Sequence, residues 1–413
     1  MKKILTTTCC IILSWQVYGV IVDDKTKTAA LAHKAEQEAQ LAKFKLDNQL
    51  AFKSYRDAFR DGLAEYKGRV EQVWGYADVS TNSKWVHYSD DLSEKLVIDY
   101  ENNAIGLQRS ANQSLPETKQ FIEDALKQKI GDKSVAESLG IDIVDIDQIA
   151  EQLISDANLA ASAEFIRSNI DDLKKTKSQL QFQSTQLSLR EQKKERSYIK
   201  EIDKEIAKTE SLLRSGKAVS KDVIGSKVSL PNKRVDRALL YKTDVNKQAK
   251  YHGLPVSLIY AVMEVESSFN PRAQSPIPAF GLMQIVPTTA GLDVNRHLRK
   301  SSEAPSANEL YQPPQNVLYG ATYLAMLYQT YFKDIKNPLS KHYCVIAAYN
   351  TGMGNVSALF SRDGTKDLKK AANVINKLSA QQVHDKIKSR AHPETKRYIT
   401  KVLDAQHYFE QNM

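Results

Sequence analysis

The spacing of apolar and polar positions divides the chain into stretches of different character. From about Lys25 to Tyr66 the residues are rich in Ala, Lys, Gln and Glu and include no proline, which predicts one long surface helix. A β-rich stretch follows. Trp85, Val86 and Tyr88 crowd the run from Lys84 to Ser89, Leu96, Ile98 and Tyr100 alternate after it, and Asn102-Asn103 makes a turn before Ile105 and Leu107. That pattern predicts a small antiparallel sheet. From Pro116 to Gly140 the chain returns to helical periodicity.

Between Ile166 and Leu213 the apolar residues thin out to spacings of three and four: Ile166, Ile170, Leu173 and Leu180, then Ile199, Ile202, Ile206 and Leu213. Arg190 to Ser197, between the two stripes, is almost wholly charged or polar. The segment therefore reads as two helices or one interrupted coiled-coil-like helix. It serves either as a spacer and surface for a protein partner or as a solvated hairpin packed on its own domain. A loop-like passage from Ser215-Gly216 to Pro231 includes a short strand at Val228 to Leu230.

Pro255 to Phe269 has proline at its start and then no helix breaker, which predicts a helix. At the helical period Leu258, Ile259, Val262, Met263 and Glu266 share one stripe, whereas Ser257, Ala261 and Glu264 fall opposite. Glu266, and not Glu264, is thus the expected buried carboxylate. Burial disfavours the charged form and raises a carboxyl pKa, the property a general acid needs near neutral pH. A glutamate at a helix end serves equally as a structural hydrogen-bonding residue, and periodicity does not choose between the two.

Length and charge narrow the class. With 413 residues, 42% of them hydrophobic, the chain exceeds what one compact core usually holds, so two folding units are expected. The net charge of +9 favours polyanionic partners: nucleic acid, anionic lipid or the carboxylate-rich peptides of a cell wall. Zinc-finger spacing, an RNA-binding aromatic strand signature and a Walker-type loop are all missing from the sequence, which argues against nucleic acid. Lys2 and Lys3 precede an apolar or small run from Ile4 to Val17 that ends in Val17-Tyr18-Gly19, the pattern of a signal peptide cleaved near Gly19. An uncleaved anchor is the alternative. Cys9 and Cys10 lie inside this run instead of after it, so the lipid-attachment pattern is poorly met. The remaining thiol, Cys344 beside Tyr343, Val345 and Ile346, reads as a buried core residue. An exported protein of the periplasm or cell envelope is expected, with electrostatic membrane-surface contact through its lysine-rich helices.

One set of motifs is more specific. Glu266-Ser267-Ser268-Phe269-Asn270-Pro271 is followed by Ala273 and Ser275, then by Gly281-Leu282-Met283-Gln284 and Pro287-Thr288-Thr289-Ala290. Asn316, Gly320, Tyr323 and Leu324 come next, then Ala348-Tyr349-Asn350-Thr351-Gly352 with Gly354, and finally Pro393-Glu394-Thr395 with Tyr398. In this order, across about 150 residues, these motifs resemble the goose-lysozyme-like catalytic domain of the lytic transglycosylases. Upstream, the Trp85 to Leu107 sheet and the Val228 to Leu230 passage resemble the membrane-bound C subgroup of that family.

The resemblance implies a mainly α, lysozyme-like catalytic domain at 226–413. An N-terminal accessory α+β domain at 20–225, with the small antiparallel sheet and a helical insertion at about 160–215, would precede it, after a signal peptide at 1–19. It implies an enzyme that cleaves the β-1,4 bond between N-acetylmuramic acid and N-acetylglucosamine in peptidoglycan glycan strands, leaving 1,6-anhydro ends, with Glu266 as its catalytic acid and base. Ser275 and Gln284 would hydrogen-bond sugar groups, Met283 would pack on a pyranose face, Tyr349 and Asn350 would contact sugar, and Tyr398 would reach the catalytic carboxylate. No cofactor and no metal are implied. Between Glu266 and Asp293 there is no other Asp or Glu, although folding can bring one in. One departure is that Pro278-Ala279-Phe280 stands where the family commonly has Gly-Ala before Gly-Leu-Met-Gln. His342 and His392 have no ligand spacing. Two rival readings are a muramidase that hydrolyses the same bond and a non-catalytic peptidoglycan-binding protein.

Overall fold

The computed structural model describes residues 24–185, 189–215, 223–231, 234–276, 278–361 and 364–413. The leader-like segment at 1–19, with Cys9 and Cys10, lies outside them. Contacts divide the chain into Met1–Tyr55 and Arg56–Met413. Helix α1, Asp24–Trp74, follows from the Ala, Lys and Glu content and runs on past the Tyr66 expected from sequence.

Within the larger unit, β1 (Lys84–Tyr88), β2 (Glu94–Asp99), β3 (Ala104–Ser110) and β4 (Val223–Ser229) form one antiparallel sheet in that order. Its register aligns Trp85 with Ile98, Ile98 with Ile105 and Ile105 with Val228. The period of two puts these residues on one face, where they pack with Ile122 and Leu126 of α2 (Leu115–Lys127) and Ala150 and Leu153 of α3 (Ile146–Ser155). On the other face Lys95 is fully buried, with Nζ 2.5 Å from Asp78 Oδ2 and within 5.3 Å of the Trp74, Tyr76 and Phe165 ring centres. A buried ammonium needs such pairing. Helix α4 (Leu159–Ser184) presses the Phe165 ring onto the sheet at Gly106 and Gly225, where any Cβ would collide with it or crowd it.

Helices α4 and α5 (Leu189–Ser215) form a hairpin joined by Lys174–Glu210 at 3.0 Å and Lys177–Asp203 at 2.5 Å. The buried Arg60–Glu195 pair, at 2.6 Å, ties it to the end of α1 within the same unit. The hairpin thus packs on its own unit.

Three sequence expectations change. The Pro116–Gly140 helix stops at Lys127, where Gln128 turns to ψ 130°, and a tight hairpin pairs Lys129–Ile130 with Lys133–Ser134. The Val228–Leu230 strand is the longer β4, with Leu230 just beyond it. The expected division at 225/226 cuts β4, which pairs along its whole length with β3, so the sheet region extends to Ser229.

The rest of the unit is helical. It includes α6 (Val256–Ser267), α7 (Pro313–Met326), α8 (Pro338–Thr351) and α9 (Pro393–Asn412), the last packing against both α6 and α8. The molecule is mainly α with its small antiparallel sheet on the N-terminal side. Cys344 on α8 is fully buried, as expected of a core thiol. Among the described residues no helix is long and apolar enough to cross a membrane.

Candidate active site

Helix α6 is buried on nearly every side: Leu258, Ile259, Tyr260, Ala261, Val262, Met263 and Ser267 are all inaccessible. The expected polar face is therefore narrower than a simple stripe, since Ala261 lies inside. The helix ends abruptly, with Ser268 and Phe269 both left-handed at φ 53° and 65°. Left-handed backbone is unfavourable for such residues. Phe269 is held there by burial of its ring, edge-on to Phe409 at 6.0 Å.

Glu264 and Glu266 are both half-buried by surface area, but burial acts on the Glu266 carboxyl, as the stripe implies. Their partners differ as well. Glu264 is clamped by Arg234, with Nε and Nη2 each 2.5 Å from its oxygens, and the guanidinium lies 3.6 Å over the Tyr408 ring. Glu266 Oε1 instead accepts a 2.6 Å hydrogen bond from Tyr398 Oη on α9. Burial pushes the Glu266 carboxyl up to about 8; the Tyr398 hydroxyl works against this and the charge of Glu394 adds to it. A carboxyl in that range keeps its proton at neutral pH and can still give it up.

Glu394 is the functional candidate that the sequence reading passes over. It sits in the quoted Pro393-Glu394-Thr395 motif, yet only folding shows that its charge is felt at Glu266. Its own carboxyl is pushed up to about 7 by burial, against lowering contributions from the Asn350 amide and from Arg397. Asn350 also accepts from Thr395 Oγ1 at 2.9 Å, so it anchors the start of α9. Gly352, at φ 84°, ends α8 two residues later.

The other expected residues are arranged around the same loop. Tyr349 Oη donates to Met283 O at 2.9 Å, and its ring meets Tyr323 edge-on at 5.7 Å. The Met283 side chain is fully buried against Gly320, so it presents no surface for the expected pyranose contact. Gln284, at φ 49°, turns its amide back to Gly281 O at 3.0 Å. Ser275 is engaged in its own turn, exchanging bonds with Ala279 at 3.2 and 3.3 Å. Phe280, the departure from the family pattern, fills a pocket between Phe59 and Tyr311, both edge-on at 6.4 and 5.4 Å. His342 and His392 serve packing: His342 Nε2 lies 2.9 Å from Gln406 Oε1, and His392 stacks on Phe182 at 4.1 Å.

Two adjoining hollows flank the site. One of about 1050 Å³ runs between the turn at 81–84, α4 and α9, and Glu394, Arg397 and Lys401 line it. The other, about 290 Å³, joins Ser275 to the rings of Phe59, Tyr66 and Tyr198. Both touch Thr81, Thr176 and Pro276.

The chain is similar to several known proteins. Membrane-bound lytic murein transglycosylase C of Salmonella typhi is 44% identical over 179 residues, covering 43% of this chain and 48% of that protein. The Shigella sonnei protein of the same name matches to the same extent. The chain thus spans about half the length of the curated relatives it matches. The solved 70 kDa soluble lytic transglycosylase Slt70 of Escherichia coli aligns at 27% identity over 43% of this chain and 25% of that one, with a TM-score of 0.33. Residues 244–372, which include Glu266, Gln284 and Asn350 but stop short of Glu394 and Tyr398, match the family model described as the transglycosylase SLT domain, and the chain therefore carries that domain.

Proposed function

We propose that this protein is a peptidoglycan lytic transglycosylase of the cell envelope. The observation that carries the reading is the half-buried Glu266 carboxyl, pushed up by burial to about 8 and hydrogen-bonded by Tyr398. The SLT domain and the murein named in its relatives supply the substrate class. In the first step Glu266 gives its proton to the glycosidic oxygen between N-acetylmuramic acid and N-acetylglucosamine, and the bond from that oxygen to the anomeric carbon breaks. In the second the muramic acid 6-hydroxyl bonds to the same carbon and returns its proton to Glu266. The attacking oxygen is already part of the sugar, so its effective concentration is high and no activated water is required. Tyr398 stabilises the carboxylate between the two transfers. The lysozyme-like fold and sugar contact by Ser275, Gln284, Tyr349 and Asn350 belong to the same proposal, as does a role for the region up to Ser229 in positioning the enzyme on the wall.

Hydrolysis is the second reading, and the closeness of Glu394 favours it, because retaining and inverting glycosidases work with paired carboxyls. Mass spectrometry of digested sacculi separates them: the proposal requires muropeptides one water lighter than hydrolysed ones. Reducing ends alone would overturn it.

Tyr398→Phe tests the hydrogen bond. Activity in the first step needs protonated Glu266, so it falls as pH rises through about 8. The Tyr398 bond lowers the Glu266 pKa, and its loss should move this basic limb to higher pH. The same change should cut kcat about 10- to 100-fold, the worth of one bond to a charged group. A limb that stays put or moves down would count against the role.

A further inference from the structure

An α-helix leaves its last carbonyls without intrahelical donors. In α6 several are met locally: Glu264 O accepts from Ser268 N at 2.8 Å, and Ser267 O accepts from Asn270 N at 2.9 Å. The carbonyl of Glu266 is met from elsewhere. Asn82 Nδ2, in the turn that leads into β1, donates to it at 3.1 Å across 184 positions of sequence.

That turn is built rigidly. Thr81 N donates to Lys84 O at 2.9 Å, Lys84 N donates to Thr81 Oγ1 at 3.1 Å, and Tyr100 N donates to Ser83 O at 2.9 Å. Its backbone is also gripped in return. Asn270 Nδ2 donates to Asn82 O at 3.3 Å and Gln274 N donates to Thr81 O at 3.2 Å. Further along, Arg272 lies 5.3 Å over the Trp85 ring and reaches Lys129 O at 3.2 Å. The segment that leaves α6 through two left-handed residues is thus laced to the sheet, with Asn82 at the residue bearing the reactive carboxyl.

We infer that Asn82 is a positioning residue for Glu266: the sheet region caps the last turn of α6 from outside the helix and fixes the direction in which the Glu266 side chain leaves it. The inference rests on the proposed role of Glu266. Without the Asn82 amide the Glu266 carbonyl seeks water, the final turn loosens, and the carboxyl loses both its aim and its enclosure. The charged and titratable groups that face Glu266 are Tyr398 and Glu394 on α9 and Tyr349 on α8. All three remain in an Asn82 variant, so any change in Glu266 arises from the cap.

The test uses the full chain with Asn82→Ala and the shape-preserving Asn82→Asp, whose carboxylate cannot donate. On peptidoglycan, kcat should fall about 10- to 100-fold in both, the scale of a small misplacement of a reacting group, with KM nearly unchanged. Carbon-13 NMR titration of the Glu266 carboxyl, assigned with Glu266→Gln, should show its pKa moving down from about 8 in Asn82→Ala as water enters. A rise in KM at constant kcat, or a lowered melting temperature with kcat intact, would overturn the inference. So would an unmoved Glu266 titration. Should the wild-type protein leave sacculi uncut, the enzymatic proposal fails, while the titration still decides whether Asn82 governs Glu266.

Discussion

Glu266→Gln is expected to abolish glycan cleavage, lowering kcat by about 10³-fold or more while leaving binding to sacculi in place. The amide keeps the shape of the side chain and can still meet the Tyr398 hydroxyl, yet it has no acidic proton to give to a leaving oxygen. The same change should raise stability in a pH-dependent way. In the native protein the carboxyl titrates near 8, whereas in the unfolded chain it returns to its ordinary value of 4.5. The native state therefore holds more proton between these limits, and stability falls as pH rises through them. Gln removes that dependence, so the melting temperature of the variant should gain on the wild type from about pH 5 to about pH 8.5. Glu264→Gln should do the reverse: cleavage persists, but loss of the Arg234 clamp costs about 1–3 kcal/mol. Equal loss of cleavage in the two variants would refute the assignment of the acid.

Local periodicity explains which parts of this architecture are readable from sequence. The α4–α5 hairpin repeats its apolar residues at three and four, and β1 to β3 alternate at two with a turn at Asn103, whose φ of 51° suits asparagine. The first part of strand β4 escapes such a reading, although its end at Val228 does not, because Val223–Ser229 includes Gly225 and Ser226 and takes its identity from pairing with β3, more than 110 residues earlier. Gly225 is there to admit the Phe165 ring, a reason invisible in one dimension. The same distance hides the Asn82 cap and the nearness of Glu394. Met283 differs from expectation for a related cause: its motif position belongs to the loop, but whether the thioether faces sugar or Gly320 depends on the packing of α7. Motif residues that touch one another through the backbone, such as Tyr349 and Met283, are interpretable only from the closed loop.

The loop itself yields the other large expected effect, from Gly281→Ala. Gly281 has φ 73°, where an alanine costs about 1–2 kcal/mol. Its surroundings add more. A Cβ there would fall on Asn316 Nδ2 and Leu310 O and lie 2.8 Å from Asn316 Cγ. Asn316, buried on α7, cannot yield, since its amide donates at 2.7 Å to both Phe280 O and Leu310 O and its oxygen accepts from Met283 N at 2.7 Å. Overpacking of that kind costs about a further 1–3 kcal/mol. The displaced loop would also pull Met283 O from the Tyr349 hydroxyl, next to Glu266, so cleavage should fall along with stability. Gly253 supplies the comparison, with φ 68° and nothing within 4 Å of an added methyl, so Gly253→Ala isolates the backbone cost. Denaturant unfolding of the two variants should show Gly281→Ala losing more by roughly the overpacking cost of 1–3 kcal/mol. Equal losses would mean that Asn316 gives way, and that the loop is not held as tightly as its three hydrogen bonds indicate.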